Sequence, residues 1–445
     1  MLLAGLAPDG GLYLPASWPR LGADEIAAFA DAPYAAAAFA ILKRFAGDSF
    51  TDAELKSDID AAYASFDDSR IAPLAEIGPD LFLLELFHGP TLAFKDIAMQ
   101  VLGRLFARAL AKRGGRATVV AATSGDTGSA AIAALGGLKN IELFVLHPKG
   151  RISEVQRRQM TTARHANIHN IALEGSFDDA QAIVKALFAD TKFANGVNLT
   201  AVNSINFARI AAQCVYYFTT TAQLDRPATF VVPTGNFGDV FAGEAAMHMG
   251  LPIDRLVVAT NANDILARAL NGGVYATDRV QATLSPSMDI QVASNFERAL
   301  FEASGRDVNW LRDAMAAFAR DGRIALPQQL RAALAARYLS VSVDDDETLA
   351  TIRRVHGQTG RLIDPHTAVG VAAAGRIRAS AKGPAVVLST AHPAKFPDAV
   401  RRATGQIPPL PPRLTDLLDR PEKMDVLSAD KGLVQAHIAA RVPPP

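Results

Sequence analysis

Cysteine is nearly absent: among 445 residues there is one, Cys214. A lone thiol closes no internal disulfide and builds no Cys-rich metal site, which points to a reducing compartment, the cytoplasm. Net charge is absent too. Lys plus Arg and Asp plus Glu stand at 45 each, so no global field draws the chain to nucleic acid or to an anionic membrane. Long apolar runs are missing. The alanine-rich stretch from Ala35 to Leu42 is about half of what a bilayer span needs and runs straight into Lys43 and Arg44. The opening MLLAGLAPDGG has no basic n-region and too short an apolar run for a secretory signal. Neither GxGxxG nor GxxxxGKS/T occurs, which removes the dinucleotide and nucleotide-triphosphate signatures. Internal repeats and low-complexity linkers are lacking as well.

What remains is an ordinary globular composition, 49% hydrophobic and 20% charged, on a chain long enough for roughly two or three domains. Short apolar runs at Leu81–Phe87, Thr118–Ala122, Leu143–Leu146, Thr229–Val232, Leu256–Thr260 and Ala385–Leu388 alternate with longer stretches of helical period. After Lys95, Ile97, Val101 and Leu105 make one row, and Ala98, Leu102, Phe106 and Leu110 its neighbour, so one broad buried face is expected, ending at Gly114-Gly115. This is α/β order, with parallel strands inside, helices outside and ligands at the carboxyl ends of the strands. The Pro-rich IPPLPPRL at 407–414 is expected to deliver a C-terminal helical tail.

Four segments at such ends carry unusual chemistry. HGPTLAFKDIAMQ places Lys95 after an apolar strand at a helix start, where the dipole and burial both favour a neutral amine; a lysine with its stem on apolar surface and its head in water reads the same in isolation. TGNFGD at 234–239 offers Gly235 and Gly238 for turning backbone N–H groups toward an anion, or is a plain connector. ATSGDTGSAA crowds Thr123, Ser124, Gly125 and Thr127 at a helix entry, suited to a carboxylate or phosphate, or equally a simple cap. Asp126 would repel an anion there unless it faces elsewhere, such as a ring hydroxyl. NSINFARIAAQ places Ser204, Asn206 and Arg209 near a helix start, an arginine clamp for a second anion or a solvated face. A reactive lysine, one phosphate cup and two further anion sites in one scaffold suit pyridoxal 5'-phosphate acting on a phosphorylated amino acid.

HGPTLAFKD resembles the lysine motif of the threonine synthase family, and TSGDTGSA, NSINFAR, PTGNFGD and STAHPAKF resemble further family segments in the same order. GLAPDGGLYLP, ATNANDIL, SMDI and DPHTAVG extend the resemblance over nearly the whole chain. It implies an α/β, two-domain pyridoxal-phosphate enzyme fold related to the tryptophan synthase β subunit, each domain a mostly parallel sheet flanked by helices. Expected boundaries are 1–95 for an N-terminal segment packing with the large domain, 96–225 for a smaller domain, and 226–445 for the large cofactor-binding domain with its tail. Relatives usually carry a short leading segment before GLAPDGG.

Residue by residue, the resemblance makes Lys95 the catalytic Schiff-base lysine, and puts Gly235, Asn236, Phe237, Gly238 and Asp239 around the cofactor phosphate. Thr390 falls at the pyridine nitrogen and Asp126 near the ring hydroxyl. Ser124, Gly125 and Thr127 match the loop for the substrate carboxylate, and Ser204, Asn206 and Arg209 the clamp on its phosphate. His392 and Lys395 follow Thr390, with Lys395 a further charge for phosphate. The implied reaction converts O-phospho-L-homoserine and water to L-threonine and phosphate. A related lyase giving 2-oxobutyrate remains the alternative. No metal, nucleic acid or membrane partner is expected, and the chain is read as a cytoplasmic monomer or homodimer.

Overall fold

The computed structural model describes residues 2, 3, 5, 7, 9–200, 205–380 and 382–442. Its strands are β1 Leu74–Gly78, β2 Leu81–Glu85, β3 Ala117–Ala122, β4 Ile141–Pro148, β5 Ile168–Glu174, β6 Leu199–Thr200, β7 Ala228–Pro233, β8 Ile253–Thr260, β9 Val274–Ala276, β10 Arg323–Ala325, β11 Tyr338–Ser342, β12 Ala385–Ser389 and β13 Asp425–Ser428. Five of them form a sheet in the order β13-β5-β4-β3-β6, and six form another in the order β1-β2-β12-β7-β8-β11; β9 and β10 pair separately. The five-stranded sheet is parallel throughout. In the larger sheet only the β1–β2 hairpin is antiparallel. β3, β7 and β12 are apolar along nearly their whole length, as strands covered on both faces by helices must be. The expected α/β architecture with helix-flanked parallel sheets is the one observed.

Every strand read from the sequence lies on an observed one. The short strands β1, β6, β9, β10 and β13 escaped, being too brief or too exposed to show alternation. β5 and β11 escaped for a different reason: polar residues interrupt them, His169 and Asn170 in one and Ser340 and Ser342 in the other.

The helix Lys95–Arg113 ends at Gly114, whose φ of 63° closes its last turn. It is buried on two sides rather than along one face. Ile97, Ala98, Val101 and Leu105 join the core under the six-stranded sheet, whereas Met99, Leu102, Phe106 and Leu110 join the core of the five-stranded one. A helix wedged between two cores has no single apolar stripe.

The tail departs from expectation. After the helix Pro397–Thr404 the chain crosses to the other sheet, where β13 pairs with β5 from Asp425↔Ile171 to Ser428↔Glu174. The last helix, Lys431–Ala439, buries Val434 and Ile438 against Ile171, Leu173, Phe144 and Leu146. The tail is therefore part strand and belongs with the five-stranded sheet. The helix Phe207–Leu224, placed by its position before residue 225 in the smaller unit, shares its core with Phe230 and Val232 of β7 and Leu388 of β12 instead.

Candidate active site

The loops after β2, β3, β7 and β12 converge at strand carboxyl ends. The first carries Lys95, and its shape is set by a turn that Asp96 closes: the Thr91 N–H and hydroxyl each donate to the Asp96 carboxylate at 2.7 Å. Gly89 is required here, since a Cβ would come within 2.4 Å of the Asp96 side chain. The Phe94 N–H donates to the Thr390 carbonyl at 2.8 Å, and Ala93 bridges Ala391. Lys95 and Thr390 are thus locked to neighbouring loops. Burial pushes the Asp96 carboxyl up to about 6 against its Thr91 bonds.

Lys95 opens its helix, where a positive charge is disfavoured. Burial holds its amine below the usual lysine range; Asp126 pulls the other way, while Arg209 and Lys395 add repulsion. Its Nζ lies 3.5 Å from Asp126 Oδ2. Asp126 begins the helix Asp126–Leu135 after β3, and it faces lysines rather than an anion site. Lys395 Nζ sits 2.7 Å from Asp126 Oδ1 and donates to the Thr91 carbonyl at 2.8 Å. Gln156 Nε2 donates to Oδ1 at 2.8 Å and the Ser287 hydroxyl to Oδ2 at 3.2 Å. Burial alone would raise this carboxyl; the two ammonium groups hold it well below the usual carboxylate range. Gly125 adopts φ 137°, and a Cβ there would strike the Gln156 amide at 2.5 Å. Ser124 and Thr127 are half-buried at this helix entry.

The third loop links β7 to the helix Gly238–His248. Phe237, at φ 64°, turns the backbone into the helix, its ring packed on Phe296 and Tyr338. Gly235 passes so close to the 287 peptide that a Cβ would meet the Ser287 carbonyl at 2.7 Å. The Asn236 carbonyl is taken by Asn295, which donates both its backbone N–H and its side-chain amide at 3.0 Å. Asp239 receives the Tyr216 hydroxyl on Oδ1, and Tyr217 donates to its carbonyl at 2.9 Å, leaving Oδ2 buried without a protein partner. Burial raises this carboxyl to about 7, against the pull of the tyrosines, Lys95 and Arg209.

Arg209, on the helix Phe207–Leu224, is buried with its Nε and Nη1 unpartnered. Burial pushes its guanidinium down to about 10, and Tyr216 and Asp239 are the opposing charges nearby. A desolvated, unpaired cation is costly; it is the donor set of an anion site. Asn206 does not share that role in the described geometry. It caps the helix, accepting from Ala208 N–H at 3.1 Å and donating to the Leu2 carbonyl at 2.9 Å, so its amide positions Arg209. Ser204 lies outside the described residues. Lys395 is fully buried with two of its three donors used inside the protein, a poor hand for holding substrate phosphate. Burial lowers His392 to about 4, so its ring is neutral.

Several participants carried no role in the sequence reading. Gln156 grips Asp126 from the helix Glu154–Thr161. Ser287 spans from Asp126 to His366, whose Nε2 accepts the Ser287 N–H at 3.2 Å while Nδ1 faces Asp364 at 2.7 Å. Ser287 and His366 stand in SMDI and DPHTAVG, so the family resemblance marked them. Tyr216 and Tyr217 gave no signal, reading as core.

Three family models match the chain: "Threonine synthase N terminus" over residues 1–63, "Pyridoxal-phosphate dependent enzyme" over 69–337 and "Threonine synthase, C-terminal" over 367–438. The threonine synthase of Pseudomonas aeruginosa is 50% identical over 443 residues, covering 99% of this chain and 94% of that one. That of Saccharomyces cerevisiae is 41% identical over 444 residues, covering 90% and 85%. Among solved structures, a pyridoxal-phosphate-bound threonine synthase from Brucella melitensis superposes with a TM-score of 0.96 at 48% identity, covering 99% of this chain and 96% of that one.

Proposed function

Since the chain belongs to the threonine synthase family, we propose how its own residues divide the work of that reaction. The activity is pyridoxal-phosphate-dependent conversion of O-phospho-L-homoserine and water to L-threonine and phosphate, a biosynthetic lyase reaction. The residues present suit the cofactor. A lysine with a depressed pKa and a glycine passage too tight for any Cβ at 235 supply what an aldehyde bearing a phosphate needs, and the buried guanidinium of Arg209, with free donors, is left for a second phosphate. When bound, pyridoxal phosphate supplies an electron sink for negative charge at carbons next to the substrate nitrogen.

The observation that carries this assignment is the placement of Lys95 Nζ, 3.5 Å from a carboxylate that is more tightly paired to another lysine. Lys95 is thereby available as a neutral amine, which would hold the cofactor by its aldehyde and move protons at the substrate's α- and β-carbons. The backbone of Gly235 to Asp239 would hold the cofactor phosphate at a helix N-terminus, and the Thr390 hydroxyl would serve the pyridine nitrogen. Asp126 would serve the ring hydroxyl. Ser124, Gly125 and Thr127 take the substrate carboxylate, and Arg209 its phosphate. The working division is two α/β domains, one around each sheet, with the Lys95 helix between them. We place the enzyme in the cytoplasm, acting on small molecules as a monomer or homodimer.

The purified protein incubated with O-phospho-L-homoserine should release threonine and phosphate in equal amounts. Lys95→Ala should lose the visible absorbance of the bound cofactor and at least about a thousandfold of turnover, the scale of a combined nucleophile and base. Release of 2-oxobutyrate instead would make the chain a lyase of the alternative kind.

A further inference from the structure

Lys395 belongs to a short turn, Pro393–Lys395, that follows β12 of the six-stranded sheet. Asp126 opens a helix attached to the five-stranded one. Their 2.7 Å ion pair therefore crosses between the sheets, and Lys395 is fully buried while making it. Lys95 approaches the same carboxylate from the other oxygen at 3.5 Å. One carboxylate cannot neutralise two ammonium groups, and Arg209 adds a third cation to the field at Lys95. Charge is cheapest to remove from the lysine that is paired at longer range.

We propose that Lys395 is a positioning residue for proton transfer: by occupying Asp126 it prevents that carboxylate from stabilising a proton on Lys95, and it does not bind the substrate's phosphate. The other charged groups acting on this set are Asp96 and His392 on the Lys395 side and Asp239 and Arg209 on the Lys95 side. Asp96 is a carboxyl like Asp126, with its oxygens spent on Thr91, and His392 is neutral. Neither can replace Lys395 as the counter-charge to Asp126.

The inference rests on Lys95 carrying the cofactor, and a pH titration of the visible absorbance of the loaded enzyme tests both separately. In the native protein the yellow band should be present and titrate. In Lys395→Met, Asp126 pairs with the Lys95 nitrogen alone, so the midpoint should rise by about one pH unit or more, a tenfold change in proton affinity. Lys395→Arg should return it toward the native value. An unmoved midpoint in Lys395→Met, with the KM for O-phospho-L-homoserine raised, would overturn the proposal in favour of phosphate binding. Absence of any band in the native protein would remove Lys95 as the carrier instead.

Should Lys395→Met fail to fold, the pair is removed as a neutral unit. Asp126→Asn with Lys395→Met should then titrate close to Asp126→Asn alone, because without the carboxylate Lys395 has nothing to occupy. A double variant titrating about one unit higher would mean that Lys395 acts on Lys95 by direct repulsion, and would overturn the proposal.

Discussion

Arg209 and Asp239 are two buried ionisable groups whose preferences can be measured without substrate. With two donors unpartnered, the guanidinium of Arg209 costs the ligand-free fold more than a methionine would. Arg209→Met should therefore raise the melting temperature of the cofactor-free protein, by an amount worth about 1–3 kcal/mol. Phosphate should stabilise the native chain more than the variant, which keeps only the cup at Gly235 to Asp239; equal stabilisation of both would move the second anion site away from Arg209. Asp239 gives a pH signature. Its folded pKa is raised to about 7 from the ordinary 3.8, so the folded state binds the proton more tightly and stability falls as pH rises from about 4 to about 7. Asp239→Asn should remove that slope, which is worth at most about 4 kcal/mol. Denaturant melts at pH 5 and pH 8 would show it; a variant as pH-dependent as the native protein would assign the slope to another group. Sequence alone named Lys95, Asp126, Arg209 and Asp239. It did not give the pairing, because Lys395 and Asp126 are 269 positions apart and nothing local in either loop marks the other. The resemblance had suggested a ring hydroxyl for Asp126 and phosphate for Lys395, and each side chain spends contacts on the other.

At the level of elements, the Lys95 helix is positioned by close approach to the helix that Asp126 begins. A Cβ on Gly103 would lie 2.6 Å from the Ala134 carbonyl oxygen. Glycine to alanine inside a helix ordinarily gains about 1 kcal/mol. Here the added methyl forces the two helices apart, and overpacking of this kind costs about 1–3 kcal/mol. Gly103→Ala should lower the melting temperature and also turnover, since the displacement separates Lys95 from Asp126. A rise in melting temperature with native turnover would show that the helices are free to shift. The period of this helix was readable in its apolar rows. That the rows serve two different cores was not, because a wedge between two sheets writes the same residues as a helix on one broad face. Strand reading failed where burial was partial, as in β13, with only Leu427 less than exposed.

For the whole molecule, the order of the chain and the order of the sheets disagree. β1 and β2 come early and lie in the six-stranded sheet, β3 to β6 build the other, β7, β8, β11 and β12 return to the first, and β13 crosses back. Domain boundaries drawn as consecutive intervals could not capture this. Deleting everything from Asp425 onward should bare the edge of β5 and uncover Ile171, Leu173, Phe144 and Leu146, giving aggregated protein without bound cofactor by size exclusion and absorbance. A monomeric truncated chain that still binds the cofactor would show that the tail is dispensable.

The same return of the tail bears on synthesis. From Glu174 at the end of β5 to Asp425 at the start of β13 the ribosome must add 251 residues. At about 5–20 residues per second, β5 waits on the order of ten seconds to a minute for its neighbour. During that interval its row of backbone donors and acceptors is open to any strand nearby. The nascent chain is thus most in need of a chaperone after β3 to β6 have formed and before β13 emerges.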